Sequence, residues 1–169
     1  CFLCSDGTVV ACGDNTYGQC EIPVLEEGLT YTQVSAGATH TILLRSDGKA
    51  IGCGRRRGYI NDGEFYLPVL QEDLRYIQVS AGDKHTVFLR NNGTAIASGL
   101  NGESQCNLPM LKDGETYIQV SAGRDHTVLL RDDGTTIACD ANTFGQCDLP
   151  AETTANDLNE ITTRFKFVL

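Results

Sequence analysis

Apolar and polar positions along this chain fall into one pattern, written several times over. In YTQVSAGATHTILLRSDGKAIGCG (residues 31–54) a first extended run, YTQVSA, sets Tyr31, Val34 and Ala36 on one side at period two. A second run, THTILLR, alternates, and Ser46-Asp47-Gly48 separates it from a third apolar stretch. An Asp-Gly or Asn-Gly between two such runs is the strongest local sign of a β-hairpin. The Ala-Gly pair between the first two runs permits a tight bend or a close approach of strands. Downstream, the segment of form QCxLP predicts a short fourth strand, ended by Pro23, Pro68, Pro109 or Pro150. No window carries a helical period.

The pattern recurs as YIQVSAGDKHTVFLRNNGTAIASG from Tyr76 and YIQVSAGRDHTVLLRDDGTTIACD from Tyr117, at spacings of 45 and 41 residues. A fourth copy opens the chain halfway through, with FLCSDGTVVACG standing where another has LLRSDGKAIGCG. The shared endings are GDNTYGQCEIP, GLNGESQCNLP and DANTFGQCDLP. The organisation is therefore one repeat domain over 1–169: a half repeat 1–30, repeats 31–75, 76–116 and 117–157, and a tail 158–169. Units of this length holding several short strands predict propeller blades.

Gly-x-x-His-Thr, then Leu, then Asp-Gly, then Gly-x-Asn-x-x-Gly-Gln resembles the regulator-of-chromosome-condensation repeat, over residues 1 to about 150. The resemblance implies an all-β propeller, most often seven-bladed, serving mainly in recognition. The best-known member exchanges nucleotide on a small nuclear GTPase and docks on chromatin. Others sit beside ubiquitin-ligase domains, and a related bacterial propeller inhibits β-lactamases. Three copies and a half fall short of seven blades, which would need roughly 290 residues at this repeat length.

The tail offers a completion. Each repeat-opening Tyr lies eight residues after a Pro, and eight after Pro150 is Leu158. From there Ile161, Thr163, Phe165 and Phe167 alternate with Thr162, Arg164 and Lys166, a strand pattern. The expectation is a small propeller of about four short blades closed by this C-terminal strand, or a partial propeller that the tail caps.

Composition narrows the function. With 169 residues, 41% of them hydrophobic and 21% charged, the chain reads as one soluble globular domain. No apolar run approaches the length of a membrane span, and no leader-like segment opens it. A net charge of −9 argues against a nucleic-acid surface, which needs clustered Lys and Arg.

The three histidines, His40, His85 and His126, share one register, which points to a structural role bonding backbone rather than to three zinc ligands. Cys12, Cys53 and Cys139 share another register, where the third unit has Ser98. Cys20, Cys106 and Cys147 share a further one, where the second unit has Phe65. Positions that accept Cys, Ser or Phe behave as packing sites, and unpaired thiols favour a reducing intracellular compartment: cytoplasm, nucleus or a plastid complex. Cys1 and Cys4 stand three apart in a strand, on opposite faces, so they do not form a chelating pair. Asp132-Asp133 and Glu26-Glu27 lie in predicted turns, and the Asn92-Gly93-Thr94 sequon is already accounted for by a hairpin.

One segment departs from the repeat. Gly54 to Pro68 spans four residues more than its counterparts, as GRRRGYINDGEFYLP. Arg55, Arg56, Arg57, Tyr59, Ile60, Phe65 and Tyr66 gather types that favour interfaces, and insertions in repeats often map to a binding face. The sequence thus predicts no enzyme, no cofactor and no metal. It predicts a recognition or scaffold propeller that binds another protein or a multisubunit complex, with a GTPase exchange factor or regulator as the alternative.

Overall fold

The computed structural model describes residues 1–54, 67–140, 142, 145, 147 and 148. Among the described residues, eleven strands form four antiparallel sheets. The first holds β1 (Phe2–Leu3) and β2 (Val9–Val10). The next three are three-stranded blades with one topology: β3 (Tyr31–Ala36), β4 (His40–Arg45), β5 (Ala50–Gly54); β6 (Tyr76–Ala81), β7 (His85–Arg90), β8 (Ala95–Gly99); and β9 (Tyr117–Ala122), β10 (Thr127–Arg131), β11 (Thr136–Cys139). Among the described residues they make an open partial propeller. Closure by residues 158–169 lies outside the described residues.

Among the described residues the blades contain three strands, and the QCxLP segments at 19–23 and 105–109 are loops rather than fourth strands, because their side chains satisfy backbone locally. Asn15, Asn101 and Asn142 each accept a 2.8 Å bond at Oδ1 from the amide of Cys20, Cys106 and Cys147. Gln19 and Gln105 accept at Oε1 from the amides of Tyr17 and Glu103. A backbone wrapped around its own Asn and Gln has no edge to offer a sheet.

Two further expectations are corrected. The middle strands do not alternate between core and solvent: Ile42, Leu43, Val87, Phe88 and Leu129 are all fully buried. Each middle strand lies between its own seam and the next, so both its faces are covered, as in buried parallel sheets. The first strand also does not hold period two throughout, since three residues separate Tyr76 from Val79. The register shifts between Tyr76 and Gln78, and the extra residue, Ile77, is half exposed. This β-bulge restores parity, so that Tyr76, Val79 and Ala81 all enter one core with Ile42, Leu44 and Phe88.

The core therefore sits between blades. Val87 and Leu89 pack with Tyr117, Val120, Ala122 and Leu129 in the next seam, while Tyr31, Leu43 and Cys53 fill the preceding one. The opening Tyr also anchors each linker: Tyr31, Tyr76 and Tyr117 donate their hydroxyls to Pro23, Pro68 and Pro109 carbonyls at 2.7, 2.9 and 3.0 Å.

The hairpin turns explain the Asp-Gly signature. Asp6, Asp47, Asn92 and Asp133 each accept the amide two residues on, and the glycine between adopts positive φ. Where a repeat lacks glycine at a left-handed position, strain results. Ser104 (φ 66°) stands in the register of Gly18 and Gly145, and Asp73 (φ 71°) in that of Gly28 and Gly114. Ser104→Gly and Asp73→Gly should each raise stability by about 0.5–1 kcal/mol, read as a higher urea midpoint at unchanged m. A lowered midpoint would show that the hydroxyl or carboxylate outweighs the backbone cost.

Candidate functional site

The side chains with most chemical potential converge at the seams between blades. An inner strand has one edge paired to its middle strand and one edge open, which exposes unpaired amides. In this fold the preceding blade covers that edge with side chains. The Gln33 carboxamide donates to the Val79 carbonyl at 3.0 Å and accepts from the Val79 amide at 2.9 Å. Gln78 clamps Val120 identically, at 3.0 and 2.9 Å. Ser35 and Ser80 accept the amides of Ala81 and Ala122 at 3.0 and 2.9 Å. A Gln-x-Ser pair thus imitates a missing strand.

The histidines complete each seam. His40 Nε2 lies 2.8 Å from Thr86 Oγ1, and His85 Nε2 lies 3.1 Å from Thr127 Oγ1. Thr127 uses its hydroxyl proton on the Gln105 carbonyl at 2.7 Å, so it accepts from His85, which fixes the Nε2–H tautomer. A threonine side chain in the next blade is thus a partner of His40 and of His85, beyond the backbone bonding that the sequence led us to expect. Burial pushes His40 and His85 down to about 4 and lowers His126 as well, so the imidazoles are neutral at pH 7.

The thiols are held in the same way. All eight cysteines are free. Cys53 donates to the Gln19 carbonyl at 3.3 Å, and Cys20 and Cys106 donate to the Asp14 and Leu100 carbonyls at 3.4 Å. Burial raises Cys53 and Cys106 to about 11 and Cys147 to about 12, which leaves them without thiolate character. Cys1 Sγ sits 3.7 Å from Thr41 Oγ1, in contact with the neighbouring blade rather than with Cys4.

At one end of the seams the two residues before each His vary between copies: Ala38-Thr39, Asp83-Lys84 and Arg124-Asp125. Their backbones are stitched across blades, with Ala38 N bonding the Asp83 carbonyl and Asp83 N the Arg124 carbonyl, each at 3.2 Å. The side chains stay outward: Arg124 is 77% exposed and reaches Asp83 and Asp125 at 3.7 and 3.1 Å. A constant frame carrying variable charged tips is how repeat scaffolds build recognition surfaces. This rim was missed in the sequence, although variation at one register inside an otherwise constant motif was there to see. The seven residues singled out in the longer loop, Arg55 to Arg57, Tyr59, Ile60, Phe65 and Tyr66, lie outside the described residues.

No metal-holding cluster of His, Cys, Asp or Glu occurs among the described residues. No helix there is long and apolar enough to cross a membrane.

Comparison with known proteins agrees with this architecture. The model for the regulator of chromosome condensation (RCC1) repeat matches residues 1–19, 31–56 and 76–105. No curated protein matches in sequence. Among solved structures, Prp20p from Saccharomyces cerevisiae is similar over 76% of this chain and 35% of its own, at 20% identity and a TM-score of 0.60. Human WBSCR16 is similar over 77% and 40%, at 20% identity and a TM-score of 0.59. The ectodomain of the Physcomitrella patens receptor kinase CR4 is similar over 84% and 38%, at 16% identity and a TM-score of 0.62. The chain thus spans 35–40% of the length of these proteins, and at such identity the likeness speaks for the fold. With its repeated His-Thr seams, Asp-Gly turns and Gln-bearing inner strands, the chain has a β-propeller-type fold and carries RCC1-type repeats over residues 1–19, 31–56 and 76–105.

Proposed function

We propose that the chain is a non-catalytic recognition or scaffold propeller that binds another protein, as a free adaptor or as an accessory part of a larger assembly. The observation that carries this reading is where the reactive groups are spent. The imidazoles of His40 and His85 bond threonines across blades, and the thiols of Cys20, Cys53 and Cys106 bond carbonyls. The buried, neutral imidazoles and the Cys53 thiol join blades, while the Cys20 and Cys106 thiols tie their own loops, so these groups serve the frame rather than face a substrate. What stays outward is the variable charged rim at residues 83–84 and 124–125.

Family likeness adds the alternative of GTPase regulation. Prp20p is described by its binding to Gsp1p and histones, and a second structure has it bound to Kap60. Two assays separate the readings. Affinity capture with the chain as bait should retain a stoichiometric protein partner, and Arg55→Ala/Arg56→Ala/Arg57→Ala should reduce retention at least fivefold with the fold intact. Undiminished capture would discard that loop as the contact. Release of labelled nucleotide from a small GTPase, accelerated at sub-stoichiometric chain, would replace the scaffold reading with exchange.

A further inference from the structure

Each blade ends its middle strand on an arginine: Arg45, Arg90 and Arg131 share one register. All three are partly buried, and a charge drawn out of water needs a counter-charge. Arg45 finds one in its own hairpin turn, where Asp47 accepts from Nε at 3.2 Å and from Nη2 at 2.6 Å. Arg131 finds one in the linker before its blade, with Glu115 Oε2 at 3.5 Å from Nη2. At Arg90 both sources are gone. Asn92 stands where Asp47 and Asp133 stand, and Leu74 where Glu115 stands. Among the described residues no carboxylate forms an ion pair with Arg90. Its guanidinium is nonetheless held in place, because it donates to the Tyr76 hydroxyl, which itself donates to the Pro68 carbonyl at 2.9 Å. Its enclosed Nε has no hydrogen-bond partner; Arg131 shares that orphaned Nε but not the missing carboxylate.

A second cation stands on the adjoining backbone. Arg75 occupies the register of Thr30 and Thr116, and it is tied to the residue after Arg90. Its amide donates to Asn91 Oδ1 at 3.0 Å, and its carbonyl accepts from the Asn91 amide at 2.9 Å. The Arg75 stem lies over the turn of the preceding blade, since a Cβ on Gly48 would come within 2.6 Å of Arg75 Cβ. Arg75 is exposed, and neither Glu72 nor Asp73 pairs with it or with Arg90. Across these four registers the charge is zero at Leu29, Thr30, Arg45 and Asp47, and −1 at Glu115, Thr116, Arg131 and Asp133. It is +2 at Leu74, Arg75, Arg90 and Asn92, in a chain whose net charge is −9. Val69, next to the anchored Pro68, adds an apolar side chain that is 79% exposed. The imbalance lies inside the array, with a three-stranded blade on either side of it.

We propose that this seam is a docking site for an acidic segment of a partner protein. Carboxylates of that segment supply Arg90 and Arg75 with the counter-charges that Asn92 and Leu74 withhold, and an apolar residue between them rests on Val69. A guanidinium already oriented by Tyr76 loses little freedom on binding, and its planar fork matches a carboxylate. The inference rests on the recognition reading above and gives the partner its chemistry. The site is separate from the variable rim at residues 83–84 and 124–125. Tyr76 pairs with Arg90 at one end of the hairpin, whereas Ala81 pairs with Thr86 at the other.

The test is a fluorescein-labelled peptide, Gly-Glu-Leu-Glu-Gly, titrated into the full chain and followed by anisotropy, beside the same peptide with Gln for each Glu. Saturable binding of the acidic peptide alone is expected. Asn92→Asp should weaken it about tenfold, because the new carboxylate takes Arg90 as Asp47 takes Arg45. The turn tolerates that change, since Asn92 uses only its Oδ1, on the Thr94 amide and hydroxyl. Asn92→Asp should also raise the urea midpoint, whereas Arg90→Gln should weaken binding to the same extent without raising it. Absence of binding, equal binding of the two peptides, or undiminished binding by Asn92→Asp overturns the site. Displacement of the peptide by an equal concentration of inorganic phosphate overturns it too, since any anion would then serve. Each of these results leaves the recognition reading itself to the capture assay.

Discussion

Urea titrations across a pH series should show stability falling steeply between pH 6.5 and 4, above the range in which the folded turn carboxylates Asp6, Asp14 and Asp133 are protonated. His40 and His85 are pushed by burial from 6.5 to about 4 in the folded chain, and His126 is lowered too. An unfolded histidine takes up a proton near pH 6.5, whereas the folded one resists until about 4, so the unfolded state binds more protons throughout that window. The stabilisation is complete above pH 6.5 and is lost as pH falls towards 4, on the order of 3 kcal/mol for each of the two. The turn carboxylates act later. Asp6, Asp14 and Asp133 are held below 3.8 by bonds from Thr8, Thr16 and Thr135, so their contribution declines beneath the histidine window. His85→Gln should lower stability at pH 7.5 but flatten the slope between 6.5 and 4. A parental profile already flat over that range would show that the rings do not titrate at the seams.

Gly82→Ala should be among the most damaging single substitutions, although it adds one methyl group in a region of ordinary φ. The new Cβ would collide with the Gly123 carbonyl of the next blade and with the His85 ring. Neither can yield: the carbonyl is backbone, and the ring is bonded to Thr127. Relief requires the two blades to separate, opening the Gln78 clamp and the Val87–Val120 core together. A loss of about 3 kcal/mol is expected. Gly102→Ala is the control, since nothing lies within 4 Å of a Cβ there, and it should change stability by less than about 0.5 kcal/mol. Equal effects of the two would refute the close-approach account of the Ala-Gly signature.

Much of the architecture was legible because the repeat presents the same experiment several times. Registers shared by His40, His85 and His126, or by Asp47, Asn92 and Asp133, distinguish structural positions from sites without any coordinates. The threonine partners of His40 and His85 were not legible. A threonine 46 residues away enters bonding distance only when one blade packs on the next. The same holds for Gln33 and Gln78, whose repetition in every copy was visible but whose role as surrogate strand edges needs two blades side by side. The fourth strand failed for a local reason: Asn15, Gln19 and their counterparts satisfy the loop backbone and leave it no edge to pair.

By itself, then, the sequence determined the repeat, the three-run hairpin unit, the turn chemistry and the structural standing of its histidines and cysteines, because period two, Asp-Gly turns and shared register are properties of a chain read along its length. Only the tertiary structure decided what those residues bond, since each seam joins side chains of one blade to backbone of the next across more than 40 residues of sequence.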